Sequence, residues 1–207
     1  MSENATVFII DDDANARDSL AALVRSMSIA FECYGSAEDF LASYLPNRPG
    51  CVVTDLRMMG MSGLDLQAKL AEMGSALPVV MITAHASIPV AVRAVQTGAV
   101  AFLEKTCTEH ELWQAIRDAL GKNEVQRMDK QEQDVVRDVL ASLTDDERRV
   151  LELIANGLAN KQVARALDIG LRTVEDRRRR VMQKLGVKSF AELMRFVVNA
   201  EQAAESM

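Results

Sequence analysis

The stretch that decides the fold of the first half of this chain is Val7-Phe8-Ile9-Ile10-Asp11-Asp12-Asp13, an apolar run that ends in three consecutive carboxylates. Four comparable apolar runs follow within the first 120 residues. The predicted strands are Val7–Ile10, Phe31–Tyr34, Cys51–Thr54, Val79–Thr83 and Ala101–Leu103. Stretches with apolar residues at helical spacing lie between them. Strands that alternate with helices are typical of a parallel sheet. We therefore predict an α/β fold, a doubly wound five-stranded parallel sheet, over residues 1–120.

The remaining residues show no strand pattern and are predicted to be helical. Residues 121–141 are polar and lack proline, which favours a helical linker. Near the start of residues 142–207, Thr144-Asp145-Asp146-Glu147 is a capping box that opens a helix. Glycines separate three further helical stretches after it. Two helices joined by a tight turn, the second rich in arginine, are typical of a helix-turn-helix. We therefore predict a four-helix all-α helix-turn-helix domain over residues 142–207.

One face of the predicted linker helix is apolar at heptad spacing. The residues of this face are Val125, Met128, Glu132, Val135 and Val139. A coiled coil with a partner helix and a single helix that packs locally both fit the spacing. Because Glu132 interrupts the face and the segment is short, local packing is the favoured interpretation.

Composition and charge exclude several classes of protein. Hydrophobic residues make up 49% of the chain and charged residues 26%, which is typical of a globular protein. No apolar run approaches the roughly 20 residues that a membrane span needs. The three cysteines show no metal-ligand spacing and are expected to be reduced thiols of a cytoplasmic protein. Residues 1–120 contain 8 Lys/Arg and 15 Asp/Glu, whereas residues 172–188 contain 7 basic and 2 acidic residues. This asymmetry indicates a C-terminal module that meets phosphates.

Charged and polar side chains follow four of the predicted strands. These are Asp11 and Asp12 after the first strand, Asp55 after the third, Thr83 at the end of the fourth and Lys105 after the fifth. Ligands bind at the carboxyl ends of strands in open parallel sheets, so we expect these groups to meet. Clustered carboxylates favour a hard cation such as Mg²⁺, and a carboxylate can attack a phosphoryl group to give an aspartyl phosphate. In the alternative interpretation, the run Asp11–Asp13 only caps the following helix.

The residues around these positions form five short segments. They are Ile9–Asp13, Val53–Met58, Gly60–Gly63, Ile82–His85 and Phe102–Lys105. Together they resemble the CheY-like receiver domain of two-component response regulators. Four C-terminal segments resemble the LuxR-type helix-turn-helix. They are Leu143–Glu147, Ala155–Lys161, Arg172–Val174 and Lys184–Val187. Both modules in this order are similar to the FixJ/NarL class of transcription regulators, and the resemblance covers nearly the whole chain.

The resemblance implies a role for each acid of the predicted pocket. Asp55 matches the phosphoacceptor, and a phosphohistidine of a sensor histidine kinase is the implied donor. Asp12, Asp55 and the main-chain carbonyl of Arg57 match ligands of Mg²⁺, with Asp11 nearby through water. Lys105 matches the lysine that pairs with the phosphoryl group.

The resemblance also implies a switch. Thr83 and Phe102 match a pair in which the hydroxyl turns towards the phosphoryl group and the ring follows into the vacated space. The face formed by the fourth helix, fifth strand and fifth helix then changes shape. We expect a homodimer on activation, because dimerisation brings two DNA-binding domains to two half-sites. DNA is the expected partner, RNA polymerase is a further candidate, and no membrane partner is expected.

The arginine-rich helix is the expected DNA-reading element. By resemblance, Glu175, Asp176 and Arg179 occupy groove-facing positions, where arginine pairs with guanine and acids accept from cytosine. In the alternative interpretation, Glu175–Arg179 and Asp176–Arg180 are ion pairs along the helix. The remaining residues expected at the DNA, chiefly on phosphates, are Lys161, Arg172, Thr173, Arg177, Arg180 and Lys188.

Two positions depart from the family pattern. Met59 and Thr106 stand where receivers commonly have proline, and we expect a trans peptide bond before Thr106. These departures keep a second interpretation open, a pseudo-receiver that binds DNA without being phosphorylated.

An enzyme is the third hypothesis for the acidic run. Asp11-Asp12-Asp13 also fits the Asp-x-Asp of haloacid-dehalogenase-like phosphatases. That motif has Thr or Val where Asn15 stands, and a phosphatase leaves the basic C-terminal third unexplained. We therefore expect no enzymatic activity.

Overall fold

The computed structural model describes residues 5–84 and 88–205, with side chains described as far as Val198. His85, which belongs to one of the receiver-like segments, lies outside the described residues. The chain divides into two compact units, one that ends at Met128 and one that begins at Asp129. The first is α/β and the second is helical. The predicted fold class is confirmed.

The first unit is built on a five-stranded parallel sheet in the order β2-β1-β3-β4-β5. The strands are β1 (Thr6–Ile10), β2 (Ala30–Tyr34), β3 (Gly50–Asp55), β4 (Val79–Thr83) and β5 (Ala101–Glu104). Each strand lies within one residue of the bounds predicted from the sequence. Ile10 pairs with Tyr34 on one side and Thr54 on the other, so that β1, β2 and β3 end together.

Helices cover both faces of the sheet. They are α1 (Ala14–Ser26), α2 (Ala37–Ser43), α3 (Gly63–Glu72), α4 (Ile88–Gln96) and α5 (Glu109–Ala141). Val7 and Ile9 face a core closed by α1 and α5, whereas Phe8 and Ile10 face a core closed by α2, α3 and α4. Successive strand residues point to opposite faces, so an uninterrupted apolar run fills both cores at once.

Helix α5 continues through the whole of the predicted linker, residues 121–141. The first turn of the linker part of α5 belongs to the first unit. Asn123 in this turn is 2% exposed, and its side chain forms hydrogen bonds with two backbone groups of that unit. Asn123 Oδ1 accepts from Gly50 N at 3.0 Å, and Asn123 Nδ2 donates to Ala76 O at 2.7 Å. Further along, Val125 and Val135 are exposed, whereas Val139 packs on the core of the second unit.

The second unit contains the end of α5 and four helices after it. They are α6 (Asp145–Ala155), α7 (Asn160–Leu167), α8 (Leu171–Lys184) and α9 (Phe190–Glu205). Its core contains Val150, Leu151, Ile154, Val163, Val174, Val181, Leu185 and Leu193. The predicted capping box opens α6: Thr144 Oγ1 accepts from Glu147 N, and the Glu147 carboxylate accepts from Thr144 N. The predicted helix-turn-helix pair consists of α7 and α8, because a turn of three residues joins α7 to the arginine-rich α8.

Three local features complete the fold. Cys33, Cys51 and Cys107 are free thiols, and burial in β3 raises the pKa of Cys51 to about 12. Within the described residues the peptide bonds are trans, including the bond before Thr106. Over the same part of the chain, no helix combines the length and apolarity that crossing a membrane requires.

Candidate acidic site and nucleic-acid interface

The strand order places the ends of β1 and β3 side by side, where the connections change direction across the sheet. Ligands bind at such switch points in open α/β sheets. Asp11 and Asp12 follow β1 and Asp55 ends β3, and the three side chains offer carboxylate oxygens that lie within 4.8 Å of one another. Asp11 is fully buried, Asp55 is 7% exposed and Asp12 is exposed. The structure thus brings the predicted acids together, with Asp12 as the member that reaches solvent.

Lys105 supplies the positive charge of this acidic site. Its ammonium Nζ lies 2.6 Å from Asp11 Oδ2 and 2.7 Å from Asp55 Oδ2. Burial lowers the pKa of Lys105, but the hydrogen bonds to Asp11 and Asp55 outweigh burial and raise the pKa above its ordinary value of 10.5. Lys105 is therefore a permanent cation that bridges the two buried acids.

The third aspartate of the run has a different role. Asp13 Oδ1 accepts from Asn15 N at 2.8 Å and from Ala16 N at 3.4 Å, so that Asp13 is the N-cap of α1. The capping interpretation holds for Asp13, whereas Asp11 and Asp12 face the acidic site.

Thr83 and Phe102 lie on the neighbouring strands β4 and β5. Thr83 ends β4 and is 1% exposed, and its carbonyl accepts from Lys105 N at 2.8 Å. Phe102 is opposite Met81 and packs partly buried against the core under α4. Thr83 therefore ends the strand that neighbours the strand of Asp55, and Phe102 lies on the next strand, three residues before Lys105.

The loop after β3 returns closely to the end of its own strand. Arg57 N donates to Asp55 Oδ1 at 3.2 Å, and Gly63 N donates to Leu56 O at 3.1 Å. A Cβ on Gly63 would lie 2.5 Å from the Asp55 carbonyl oxygen, so only glycine fits there without a backbone shift. This close return fixes the loop that carries Arg57 beside the acids.

The donor set suits a hard divalent cation. Three carboxylates face one ammonium, so the acidic site holds excess negative charge. Its donors are oxygens, which Mg²⁺ prefers, and the exposed Asp12 leaves an entry for solvent.

In the second unit, helix α8 presents most of the predicted DNA-binding residues to solvent. Seven of the predicted residues are exposed and two are partly exposed. The exposed ones are Lys161, Arg172, Thr173, Glu175, Arg179, Arg180 and Lys188, and the partly exposed ones are Asp176 and Arg177. A groove of about 480 Å³ runs along α8 to the turn after it, lined among others by Glu175, Arg179 and Lys188.

The ion pairs of α8 differ from those that the sequence suggested. Arg179 pairs with Asp176, three residues earlier, and not with Glu175, the i, i+4 partner that the alternative interpretation gave it. Arg177 pairs with Asp146 of α6 at 2.5 Å, which fixes α8 to the first helix of the unit. Arg177 therefore has a structural partner as well as an expected phosphate contact.

Sequence reasoning missed three contacts of the two sites. Arg178 Nη1 donates to Asn160 Oδ1 at 2.8 Å, which joins the two helices of the helix-turn-helix. Lys184 Nζ lies 2.6 Å from Glu147 Oε2. Met59 N donates to Asp12 Oδ2 at 2.8 Å. The basic run Arg177–Arg180 draws attention to Arg178 but not to its partner Asn160. The other two contacts join segments far apart in the chain and have no local signal in the sequence.

The fold and the two sites define a class of protein: a regulator that couples an acidic receiver pocket to a helix-turn-helix. Two family models match accordingly, the response regulator receiver domain over residues 7–117 and the bacterial regulatory proteins of the luxR family over residues 141–197. The chain belongs to the response regulators of two-component systems and carries a LuxR-type DNA-binding domain.

Individual relatives match over nearly their whole length. The response regulator protein TodT of Pseudomonas putida is 38% identical over 99% of this chain and 91% of its own. The transcriptional regulatory protein FixJ of Azorhizobium caulinodans is 40% identical over 97% of this chain and 95% of its own. Among solved structures, the response regulator StyR superposes with a TM-score of 0.87 at 42% identity, covering 94% of this chain and 98% of that one.

Proposed function

We propose that Asp55 is the phosphoacceptor of this response regulator and that a phosphohistidine of a sensor histidine kinase is the donor. The main support for this proposal is the position of Asp55. Its Oδ2 lies 2.7 Å from Lys105 Nζ, and its carboxylate belongs to the cluster of three acids. A carboxylate oxygen of Asp55 attacks the phosphorus, the new P–O bond forms as the P–N bond of the phosphohistidine breaks, and the histidine leaves with the bond's electron pair.

The positive charge of Lys105 balances negative charge in the acidic site both before and after phosphoryl transfer. Its ammonium pairs with Asp11 and Asp55 before phosphorylation, and afterwards it pairs with an oxygen of the phosphoryl group. The phosphoryl group brings about −1.5 to −2 charges, which the acids alone would repel.

Mg²⁺ is the proposed cofactor, held by Asp12, Asp55 and the main-chain carbonyl of Arg57, with Asp11 acting through water. When bound, the cation neutralises negative charge on the acids and the phosphoryl oxygens. The oxygen donors of the acidic site and its excess of negative charge support this assignment.

Thr83 and Phe102 are the proposed switch. The Thr83 hydroxyl turns towards the phosphoryl group, the Phe102 ring follows, and the face of α4, β5 and α5 changes shape. Ile88, Val92 and Val95 of α4 are exposed by 82%, 48% and 59%, which gives this face apolar area for a second copy of the chain.

DNA binding is assigned to the helix-turn-helix, with Arg179, Glu175 and Asp176 at base edges. The remaining proposed contacts, chiefly to phosphates, are those of Lys161, Arg172, Thr173, Arg177, Arg180 and Lys188. We assign residues 1–120 to the receiver, 121–141 to the linker and 142–207 to DNA binding. Family membership supports a cytoplasmic regulator. We further propose that it works without enzymatic turnover, as a dimer on activation, with RNA polymerase as a candidate partner.

Acetyl phosphate, a small phosphodonor, tests the proposal in the full chain. We expect mass spectrometry to find one phosphoryl group on the wild type and none on Asp55→Ala. Beryllofluoride, a mimic of the phosphoryl group, should raise the molecular mass and tighten binding to duplexes selected by the protein from a random pool. Both responses should be lost in Asp55→Ala and weakened in Thr83→Ala.

A pseudo-receiver is the second candidate function, favoured by Met59 and Thr106 at the two positions where proline is common. It predicts a single association state and equal DNA binding with and without beryllofluoride. That result would overturn the phosphorylation proposal.

A further inference from the structure

The exposed acid of the acidic site is held by the backbone of the loop after β3. Met59 N donates a hydrogen bond of 2.8 Å to Asp12 Oδ2 across 47 residues of sequence. The two other acids each accept from a main-chain N–H two residues further on, Asp11 from Asp13 N and Asp55 from Arg57 N, but both also pair with Lys105. Asp12 thus owes its orientation to a neutral donor, the main-chain N–H of Met59.

The Met59 side chain takes no part in this contact. It is 82% exposed, so the residue contributes its backbone and little packing. Methionine at this position supplies an N–H that proline lacks. A proline here would leave Asp12 Oδ2 without this donor.

The loop is fixed on its far side by a second carboxylate. Met61 N donates to Glu38 Oε1 at 2.9 Å. Gly60 between the two donors has φ of +83°, and a Cβ there would lie 2.8 Å from Glu38 Oε1. The Met59 N–H therefore points at Asp12 from a backbone that Gly60 and Glu38 hold in place, and the contact does not depend on a flexible loop finding its partner.

The hydrogen bond leaves room for a cation on Asp12. An ionised carboxylate offers about four lone-pair sites, and one N–H occupies one of them. The hydrogen bond also fixes the side-chain rotamer of Asp12. Holding Asp12 in place before the cation arrives removes an ordering cost from binding.

We propose that the backbone N–H of Met59 is a positioning group for Mg²⁺, which orients the carboxylate of Asp12 in the cation-free protein. The inference rests on the proposed assignment of Asp12 as a Mg²⁺ ligand. Outer-shell hydrogen bonds of this kind alter metal affinity by roughly 10–100-fold when they are removed. Met59 therefore tunes the Mg²⁺ concentration at which the receiver becomes competent.

Met59→Pro and Met59→Ala form a matched pair for the test in the full chain. Both remove the methionine side chain, but only proline removes the N–H. We expect Mg²⁺ titrations, followed by the amide NMR shifts of Asp12 and Arg57, to give a dissociation constant about tenfold higher for Met59→Pro and unchanged for Met59→Ala. Equal constants for the wild type and both variants would overturn the inference alone, whereas a wild type without Mg²⁺-induced shifts would overturn the metal site on which it rests.

A kinetic split separates positioning from a general structural effect. In phosphorylation by acetyl phosphate, Met59→Pro should need about tenfold more Mg²⁺ for half-maximal rate and reach the wild-type rate at saturation. A lower rate at saturating Mg²⁺ with an unchanged half-maximal concentration would contradict the proposal.

A measurement on the unsubstituted backbone covers the case in which Met59→Pro does not fold. In the Mg²⁺-free wild type, the Met59 amide should exchange slowly with solvent deuterium, and Asp12→Ala should speed that exchange at least tenfold while the Met61 amide is unaffected. Fast exchange of the Met59 amide in the wild type would overturn the proposal.

Discussion

At the scale of single residues, Glu147 shows how one carboxylate can serve two elements. Its oxygen Oε2 accepts from Thr144 N at 2.9 Å and lies 2.6 Å from Lys184 Nζ of α8. The hydrogen bond from Lys184, followed by that from Thr144, holds the pKa of Glu147 below its ordinary value of 4.5. Glu147 therefore joins the cap of α6 to the end of the proposed DNA-reading helix.

The first prediction concerns the pH dependence of this contact. A carboxylate with a lowered pKa in the folded state stabilises the fold above its unfolded pKa, near 4.5, and loses that contribution as pH falls through the folded value. Glu147→Gln should destabilise the second unit by about 1–2 kcal/mol at pH 7. The difference from the wild type should vanish in strong acid. Hydrogen exchange of α6 and α8 amides, compared at matched pH, measures it.

Glu152→Gln is the control for this prediction. Glu152 is an exposed acid on the same helix and lies outside the capping box. Its substitution should change amide exchange little at any pH. A Glu147→Gln effect that persists below the folded pKa would show that the charge is not the cause.

The second prediction separates two kinds of DNA contact. Arg179→Ala should reduce discrimination at one base step by about 1–3 kcal/mol, because arginine reads guanine edges. Lys188→Ala should weaken binding to all sequences alike and reduce the salt dependence by about one charge, because a phosphate carries no sequence information. Competition between selected and random duplexes at two salt concentrations distinguishes them, and identical behaviour of the two variants would refute these roles.

At the scale of elements, the sequence predicted the strands well and the side-chain pairing poorly. β4 was predicted residue for residue because an apolar run buried on both faces has a sharp local pattern. The pairing of Arg179 with Asp176 and not with Glu175 depends on rotamers that spacing alone does not determine. The Met59–Asp12 contact depends on the path of a loop that Glu38 holds, and Glu38 is 21 residues from Met59 in sequence.

Most residues of the acidic site could be predicted from the sequence, because side chains at the carboxyl ends of parallel strands meet and because the segments around them resemble a receiver domain. Parallel strands end at a common edge, so the sequence alone predicts that Asp11, Asp55 and Lys105 meet. The division of the aspartate run was open, since a cap and an acidic-site residue look alike in sequence. Only the structure shows that Asp13 caps α1 while Asp12 turns to the acidic site.

The third prediction concerns α5 and its buried amide. Asn123→Ala leaves Gly50 N and Ala76 O without their side-chain partner, which should destabilise the first unit by about 1–3 kcal/mol. Lys122→Ala, an exposed neighbour on the same helix, should change stability by less than about 0.5 kcal/mol. Hydrogen exchange of β1 and β3 amides reports the stability of this unit, and equal protection in both variants would contradict the assignment.

At the scale of the whole molecule, activation is expected to change how many copies of the chain associate. The fourth prediction uses Val95, which is 59% exposed on α4. Val95→Asp should weaken dimerisation induced by beryllofluoride by about tenfold, because a charge enters an apolar contact. Met73→Asp, which changes an exposed methionine at the end of α3, should leave it unaltered. Light scattering over a concentration series measures both.

Cys51 offers a chemical reporter of sheet opening that is native to the chain. Electrophiles such as maleimides react with the thiolate form of cysteine. Cys51 is buried in β3 and its pKa is about 12, so almost no thiolate is present at this position at neutral pH. Cys33 is exposed on the edge strand β2 and should react from the closed protein, so it serves as the internal reference once Cys107, the third free thiol, is replaced by serine. The rate at which Cys51 is modified therefore reports how readily β3 opens. This rate can be compared in samples with and without Mg²⁺ or a phosphodonor.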